Sequence, residues 1–177
     1  MIAIPSPDAR AVLTEGTVID LRSLREADLA HAREYFDALS ADSRHARFMG
    51  SLPDLTTGTL EDVVHAMHAP GHAVSVATVA TPAGPRFIGG VRVVPTGRAG
   101  TGEFALSIID AWQGRGVGRI LLAEALRLAA ALGYRDLEGI VLTSNVRMLG
   151  VARRLGFVPH PANADPSVTI VSRAVSP

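Results

Sequence analysis

A bend with glycine at alternate positions constrains this chain more than any other feature of its sequence. The segment 112–119 reads Trp-Gln-Gly-Arg-Gly-Val-Gly-Arg, follows a β-rich run over 103–109 and precedes an amphipathic helix predicted over 119–132. Glycine lets the backbone approach a ligand closely, and the N–H groups at a helix start carry about half a positive charge. The bend therefore predicts a phosphate or pyrophosphate site, where Arg115 and Arg119 add electrostatic attraction.

The dinucleotide-binding fold is the main alternative for such a bend, and the glycine spacing disfavours it. Its Gly-x-Gly-x-x-Gly motif ends in a three-residue step, whereas one residue separates Gly116 from Gly118. That motif also follows the first strand of a parallel sheet, whereas a predicted hairpin over 73–80 and 87–94 precedes this bend. A glycine-rich helix entry without a ligand stays as the second alternative.

The pattern on both sides of the bend predicts a mixed α/β sheet in one domain. Strands are predicted at 17–21, 73–80, 87–94, 103–109, 137–142, from 157 and at 167–174, and helices at 25–39, 40–48, 59–67, 119–132 and 145–155. The strand, helix and strand that follow the hairpin form a parallel unit of about thirty residues. We expect a flexible N-terminal segment over 1–16 and a single domain over 17–177.

Two residue types are absent from the 177 residues, cysteine and lysine. Without cysteine there are no disulfides, thiolate metal sites or acyl-enzymes on a thiol. Without lysine there is no Walker A phosphate loop and no Schiff-base chemistry. Most kinase, ATPase and pyridoxal-dependent classes are therefore excluded.

Charge and hydropathy exclude further classes. The 17 arginines balance 17 acidic residues, so no global field attracts nucleic acid or anionic lipid. The longest apolar stretch, 120–132, is shorter than the roughly 20 residues that span a bilayer, and the N-terminus does not resemble a signal peptide. We therefore expect a cytoplasmic protein with no nucleic-acid or membrane partner.

Three histidines, His65, His68 and His72, invite a metal interpretation because two of them are three residues apart on a predicted helix. No carboxylate or cysteine completes a recognised zinc spacing around them. A polar helix edge and turn is the simpler interpretation, and no metal site is predicted.

Two motifs resemble those of a known family. Residues Gln113 to Gly118 match the Gln/Arg-x-x-Gly-x-Gly/Ala signature of the GNAT N-acetyltransferases, and 145–157 resembles the later Asn…Gly-Phe stretch of that family. The similarity is closest to Pat-like protein lysine acetyltransferase domains, through 40–48 and 152–157 among other segments, and covers roughly 17–174. It implies the α/β GNAT fold, with a mixed central sheet of about six to seven strands flanked by about four to five helices.

The resemblance implies acetyl-CoA as the acyl donor. Its pyrophosphate would lie on the N–H groups of 113–119, and its pantetheine arm along the backbone of 106–108, where two strands splay apart. Asn145 would bind the arm from the other side or cap a helix, and the two roles are compatible. The implied cofactor-binding residues are Leu106, Ser107, Ile108, Gln113, Gly114, Arg115, Gly116, Val117, Gly118, Arg119 and Asn145.

Glu103 is the candidate general base. A lysine-like amine with a pKa near 10.4 is neutral in only about one molecule in 2,500 at pH 7, so the reaction needs a proton acceptor. Glu103 is a carboxylate in an otherwise apolar strand, and the resemblance gives the general-base role to a glutamate on this strand. A solvated residue at the start of a strand is the alternative. The backbone N–H near Ile108 is a candidate donor to the developing negative charge on oxygen.

Ala152 departs from the family pattern, because many members carry a tyrosine there that protonates the leaving thiolate. A thiol pKa near 8.5 lets the thiolate leave without that acid. We predict an N-acetyltransferase that works by direct transfer in a ternary complex, with a protein lysine as the preferred acceptor. A small-molecule amine acceptor and a non-catalytic acyl-CoA-binding sensor are the alternatives, and monomer and homodimer both stay open.

Overall fold

An eight-stranded mixed sheet crosses the part of the chain that this computed structural model describes, residues 9–48, 69–162 and 165–175. The strands are β1 Ala9–Val12, β2 Val18–Ser23, β3 Ala73–Thr81, β4 Gly84–Pro95, β5 Thr101–Ile108, β6 Asp136–Leu142, β7 Val158–Pro161 and β8 Val168–Ala174. The helices are α1 Leu29–Asp37, α2 Ala41–Phe48, α3 Val117–Ala131 and α4 Val146–Arg154, with short 3-10 turns at Glu26–Asp28 and Asp110–Trp112. The spatial order is β1-β2-β3-β4-β5-β6-β8-β7.

The predicted mixed α/β sheet is confirmed, and its strand count is higher than the six to seven expected. Pairing is antiparallel from β1 to β5 and parallel between β5 and β6, as the strand-helix-strand pattern predicted. The sheet begins at β1, inside the segment 1–16 that was predicted to be flexible, because this strand pairs with β2 and Arg10 contacts Asp20 at 2.7 Å. The helix predicted over 59–67 lies outside the described residues.

The core lies between the sheet and α3. Leu121, Leu122 and Leu128 of this helix are fully buried, and α3 packs on β4 and β5. Phe104 of β5 meets Phe157 edge to face at 5.5 Å, and its ring lies so close to Gly139 that any Cβ there would overlap it. Each helix in the described ranges is too short or too polar to cross a membrane.

The opposite face of β4 and β5 carries polar side chains. The antiparallel register pairs Arg92 with Ala105, Val94 with Glu103 and Gly90 with Ser107, and directly paired residues lie on the same face. Helix α1 packs on β4 and α2 on β5. This polar face is therefore partly covered by α1 and α2, and Glu103 and Arg92 are half-buried on it.

Candidate functional site

A cleft of about 870 Å³ opens where β5 and β6 part. The parallel pairing joins only Thr101–Glu103 to Asp136–Glu138; beyond that point β6 stays with β8, and β5 stays with β4 as far as Ile108. The edge of β5 from Phe104 onward therefore faces the cleft. Leu106, Ser107 and Ile108 line it, at the strand splay that the resemblance implied.

Main-chain groups of β5 point into this cleft at every second residue. The Ile109 N–H donates to the Ile88 carbonyl on β4 at 3.0 Å, so it points away from the cleft. Successive residues of a strand direct their N–H groups to opposite sides, so Leu106 and Ile108 direct theirs into the cleft. The open edge can thus pair with an extended, amide-containing ligand as another strand would.

The glycine bend closes one end of the cleft. Gly114 and Gly116 have φ angles of 75° and 98°, which favour glycine, and α3 begins at Val117, two residues earlier than predicted. The Gly116 carbonyl accepts from the N–H groups of Arg119 at 3.0 Å and Ile120 at 3.3 Å. The preceding N–H groups of this first turn have no carbonyl one turn back to bond, so they are suited to an anion.

Gln113 and Asp110 connect the bend to the start of α2. Gln113 Nε2 donates to Ser43 Oγ at 2.9 Å and to the Ile108 carbonyl at 3.1 Å, and the Gln113 N–H donates to the Asp110 carbonyl at 3.1 Å. Asp110 accepts from the Ser40 N–H at 3.0 Å and from Ser43 Oγ at 2.8 Å. Although partial burial acts in the opposite sense, these hydrogen bonds hold the pKa of Asp110 below its ordinary value. The Gln113 side chain therefore connects the bend to α2 and β5. Its N–H, which was predicted to face a phosphate, donates within the turn instead.

Two other residues of the predicted cofactor set can contribute only main-chain groups. The Arg115 guanidinium contacts Glu15 at 2.6 Å and stacks on the Trp112 ring at 4.0 Å, so the predicted attraction from its side chain is not directed into the cleft. The Val117 side chain is fully buried in the core. Arg119 is exposed and does line the cleft, with the glycines of the bend.

Asn145 lies at the far wall of the cleft, where it caps α4. Its Oδ1 accepts from the Met148 N–H at 3.0 Å, which confirms the helix-capping role that the sequence allowed. The side chain also lines the cleft, and the cap leaves its Nδ2 as a donor toward a ligand. Ala152, in the same helix, is fully buried.

Glu103 is half-buried at the point where β5 and β6 separate, one residue before the stretch that lines the cleft. Two arginines lie near it. Arg47 of α2 lines the cleft; burial, and then the positive charge of Arg92, lower its pKa to about 10, while Tyr35 and Glu103 act in the opposite sense. Arg47 is therefore within electrostatic reach of both Arg92 and Glu103.

A hydrogen bond between two hydroxyl groups joins α1 to the same face of β5. Tyr35 of α1 and Ser107 of β5 share a hydrogen bond of 2.7 Å between their hydroxyl oxygens, and burial raises the pKa of Tyr35. Sequence reasoning missed Arg47, Arg92 and Tyr35. The signal for Arg92 was available, because it is a charged residue within an apolar strand, as Glu103 is.

A metal centre finds no support within the described ranges, where no group of three or more His, Asp or Glu side chains is arranged to hold an ion. His72 Nδ1 lies 3.1 Å from the Pro70 carbonyl. The other two histidines of the metal interpretation, His65 and His68, lie outside the described residues.

Comparison with known proteins identifies the fold and the family. The family model for an acetyltransferase (GNAT) domain matches residues 20–158. Acetyltransferase PA5475 of Pseudomonas aeruginosa is 27% identical over 161 residues, 91% of this chain and 86% of the relative. The GNAT domain of S. lividans PAT, at 25% identity, has a TM-score of 0.82 over 94% of this chain and 96% of its own.

A more distant solved structure shares the fold. It is yncA from Salmonella typhimurium, solved with its cofactor acetyl-CoA, which is 17% identical and has a TM-score of 0.70 over 89% of this chain and 94% of its own. The splayed strands, the glycine bend before α3 and the family match agree, and this chain belongs to the GNAT acetyltransferase family.

Proposed function

We propose that this protein transfers an acetyl group from acetyl-CoA to a primary amine, by direct transfer in a ternary complex. The observation that carries the proposal is the cleft itself, which runs from the glycine bend along the open edge of β5 toward Glu103. Its two ends suit the two parts of the donor, an anionic diphosphate and a reactive thioester.

The described residues fit acetyl-CoA. The N–H groups of Gly114 to Gly118 would hold the diphosphate, with Arg119 adding a positive charge at the rim. The main chain of Leu106 and Ile108 would pair with the amide groups of the pantetheine arm, and Asn145 Nδ2 would donate to the arm from the opposite wall. When bound, acetyl-CoA supplies the acetyl group as a thioester.

Glu103 acts as the general base. Its carboxylate takes a proton from the acceptor ammonium, directly or through a water molecule, and the neutral nitrogen then forms a bond to the carbonyl carbon. The Ile108 N–H donates to the carbonyl oxygen as negative charge develops there. The bond from carbon to sulfur breaks, and the sulfur leaves as a thiolate, because position 152 holds a buried alanine rather than an acid. The second proton of the nitrogen passes to water as the amide forms.

The preferred acceptor is a protein lysine side chain. Support comes from the resemblance of 40–48 and 152–157 to Pat-like domains and from the likeness to the GNAT domain of S. lividans PAT. Ala152 also favours a second candidate, an acyl-CoA-binding module that senses the donor without turnover.

Release of free coenzyme thiol from acetyl-CoA tests the function, with lysine peptides, candidate proteins and small amines as acceptors. Initial rates with both substrates varied should give intersecting lines in a double-reciprocal plot. Parallel lines contradict direct transfer. Binding of acetyl-CoA without thiol release for any amine supports the sensor instead.

A further inference from the structure

A serine hydroxyl lies in the wall of the cleft, beside the main-chain groups proposed to bind the donor. Ser107 belongs to β5, directly precedes Ile108 and lines the cleft. It is half-buried, so a molecule bound in the cleft can reach it. The function proposed above uses only the main chain of this part of β5, which leaves the Ser107 side chain without a role.

The Ser107 hydroxyl has one hydrogen-bond partner within the described ranges, the hydroxyl of Tyr35 on α1. The two oxygens lie 2.7 Å apart, and among the same residues Ser107 is in turn the one partner of the Tyr35 hydroxyl. Tyr35 is buried, with 8% of its surface exposed. The direction of this hydrogen bond decides whether Ser107 can donate to a ligand.

Burial indicates which of the two hydroxyls donates. A buried O–H without an acceptor loses its hydration uncompensated, whereas an oxygen lone pair without a donor is tolerated more often. Burial also raises the pKa of Tyr35, although the Ser107 hydrogen bond and the positive charge of Arg47 act in the opposite sense, so the phenol keeps its proton at neutral pH. Tyr35 therefore donates and Ser107 accepts. The Ser107 O–H is then a donor that no described residue uses.

The Ser107 hydroxyl lies next to the main-chain donor already assigned to the thioester carbonyl oxygen. The Ile108 N–H points into the cleft, because the Ile109 N–H donates to the Ile88 carbonyl on the other side of β5. Ser107 Oγ and the Ile108 nitrogen are joined only through Cβ, Cα and the carbonyl carbon of Ser107. Two donors this close together can both donate to one oxygen atom, as the paired donors of an oxyanion hole do.

We propose that the Ser107 hydroxyl is a second donor to the carbonyl oxygen of the bound thioester, and that Tyr35 is the positioning residue that orients it. The inference rests on the proposed function and deepens it, because it adds a catalytic side chain to the same site. As the amine nitrogen bonds to the carbonyl carbon, an electron pair of the C=O bond moves to oxygen, where Ser107 and Ile108 each donate a hydrogen bond. The pair returns when the bond from carbon to sulfur breaks, and Ser107 keeps its proton throughout.

Infrared spectroscopy of a bound carbonyl tests this contact without turnover. The probe is the ketone analogue of acetyl-CoA, in which a methylene group replaces the sulfur, isotope-labelled at the carbonyl carbon. A hydrogen bond to the oxygen weakens the C=O bond, so the band of the bound analogue should lie at higher frequency in Ser107→Ala than in the wild type. The matched control Ser172→Ala removes a hydroxyl of β8 that lies 2.9 Å from His160 Nε2, and should leave the band in place. An unmoved band in Ser107→Ala overturns the inference.

Kinetics distinguish a catalytic donor from a contact that only joins α1 to β5. Ser107→Ala should lower kcat about tenfold to a hundredfold and change the KM for acetyl-CoA by less than about twofold, because the hydrogen bond strengthens as negative charge develops on the oxygen. Ser107→Thr keeps a hydroxyl and should retain most of the wild-type kcat. A wild-type kcat in Ser107→Ala, or a rise in KM at an unchanged kcat, overturns the inference.

A double variant tests the positioning role of Tyr35. Tyr35→Phe keeps the ring and removes the hydroxyl, so kcat should fall by less than in Ser107→Ala. Combined with Ser107→Ala it should cause no further fall, because Tyr35 acts only through Ser107. Effects that multiply in the double variant would overturn this role. If Ser107→Ala does not fold, Tyr35→Phe carries the test, and a wild-type band together with a wild-type kcat overturns the inference.

The outcome is separable from that of the proposed function. Thiol release that is equally fast in the wild type and in Ser107→Ala, with an unmoved band, keeps the acetyltransferase and rejects the serine donor. A band that moves in Ser107→Ala, in a protein that releases no thiol with any amine, keeps the contact to the carbonyl oxygen and rejects the acetyltransferase.

Discussion

At one end of the cleft the donors are main-chain N–H groups of a single segment, 114–118, whereas near the other end polar and charged side chains from different elements meet. Tyr35, Arg47, Arg92 and Glu103 come from α1, α2, β4 and β5 in turn. The main-chain donors depend on the backbone conformation of the glycine bend, so substitutions that preserve this conformation should be tolerated there. The second end depends on which side chains the fold brings together, and single substitutions there should change the chemistry while leaving the fold intact.

The largest effect should come from the side-chain end. Glu103→Gln removes the proton acceptor, and we expect kcat to fall by about a hundredfold or more, with acetyl-CoA affinity unchanged. Steady-state kinetics and calorimetry measure the two quantities. Glu138→Gln, at the position paired with Glu103 on β6, is the matched control and should keep kcat within about twofold. A Glu103→Gln variant with wild-type kcat would remove Glu103 from the mechanism.

The next effect should come from the backbone end. Gly116 has a φ of 98°, which costs a residue with a Cβ about 1–3 kcal/mol, so Gly116→Ala should distort the bend and weaken acetyl-CoA binding by about tenfold or more. Gly133, beyond the other end of α3, has a φ of 78° and no neighbouring atom within 4 Å of the position that a Cβ would take, so Gly133→Ala imposes a similar strain far from the bend. It should lower the free energy of unfolding and leave acetyl-CoA affinity intact. If both variants lose affinity equally, the bend has no special role.

Asn145 allows its two roles to be separated. Asn145→Asp keeps the Oδ1 that caps α4 and removes the Nδ2 donor, so the thermal midpoint should stay unchanged while the KM for acetyl-CoA rises about fivefold. Asn145→Ala removes both groups and should also cost about 1 kcal/mol of stability. An unchanged KM in the aspartate variant would leave Asn145 as a helix cap alone.

The smallest effect concerns the connection between α2 and the bend. The lowered pKa of Asp110 means that its carboxylate contributes stability above its unfolded pKa of about 3.9 and loses that contribution as the pH falls through the folded pKa. Because Asp110 is exposed, we expect Asp110→Asn to cost only a few tenths of a kcal/mol at pH 7. Urea unfolding should show this difference shrinking toward pH 3. A difference that grows on acidification would contradict the assignment.

Local sequence patterns sufficed for β2 to β8, for the four α-helices of the described residues and for the bend. About thirty residues contain the glycines, the amphipathic stretch after them and the following apolar run. Because these signals are so close in sequence, periodicity alone predicts the parallel unit. β1 was not predicted from the sequence, because its conformation depends on pairing with β2, which a local pattern does not show.

The side chains that gather near Glu103 could be identified only from the tertiary structure. Arg47 and Arg92 are 45 positions apart by number, and only the β4–β5 register together with the packing of α2 on β5 brings them to Glu103. The role of Gln113 was also hidden, because its side-chain partners Ser43 and Ile108 belong to α2 and β5.

The most direct test of the account is the crystal structure of the protein with acetyl-CoA. We predict electron density for the diphosphate within hydrogen-bond distance of the N–H groups of Gly114 to Gly118, and for the thioester carbon beside Glu103 at the end of the open β5 edge. Density for the cofactor elsewhere on the molecule, or for a thioester remote from Glu103, would contradict it.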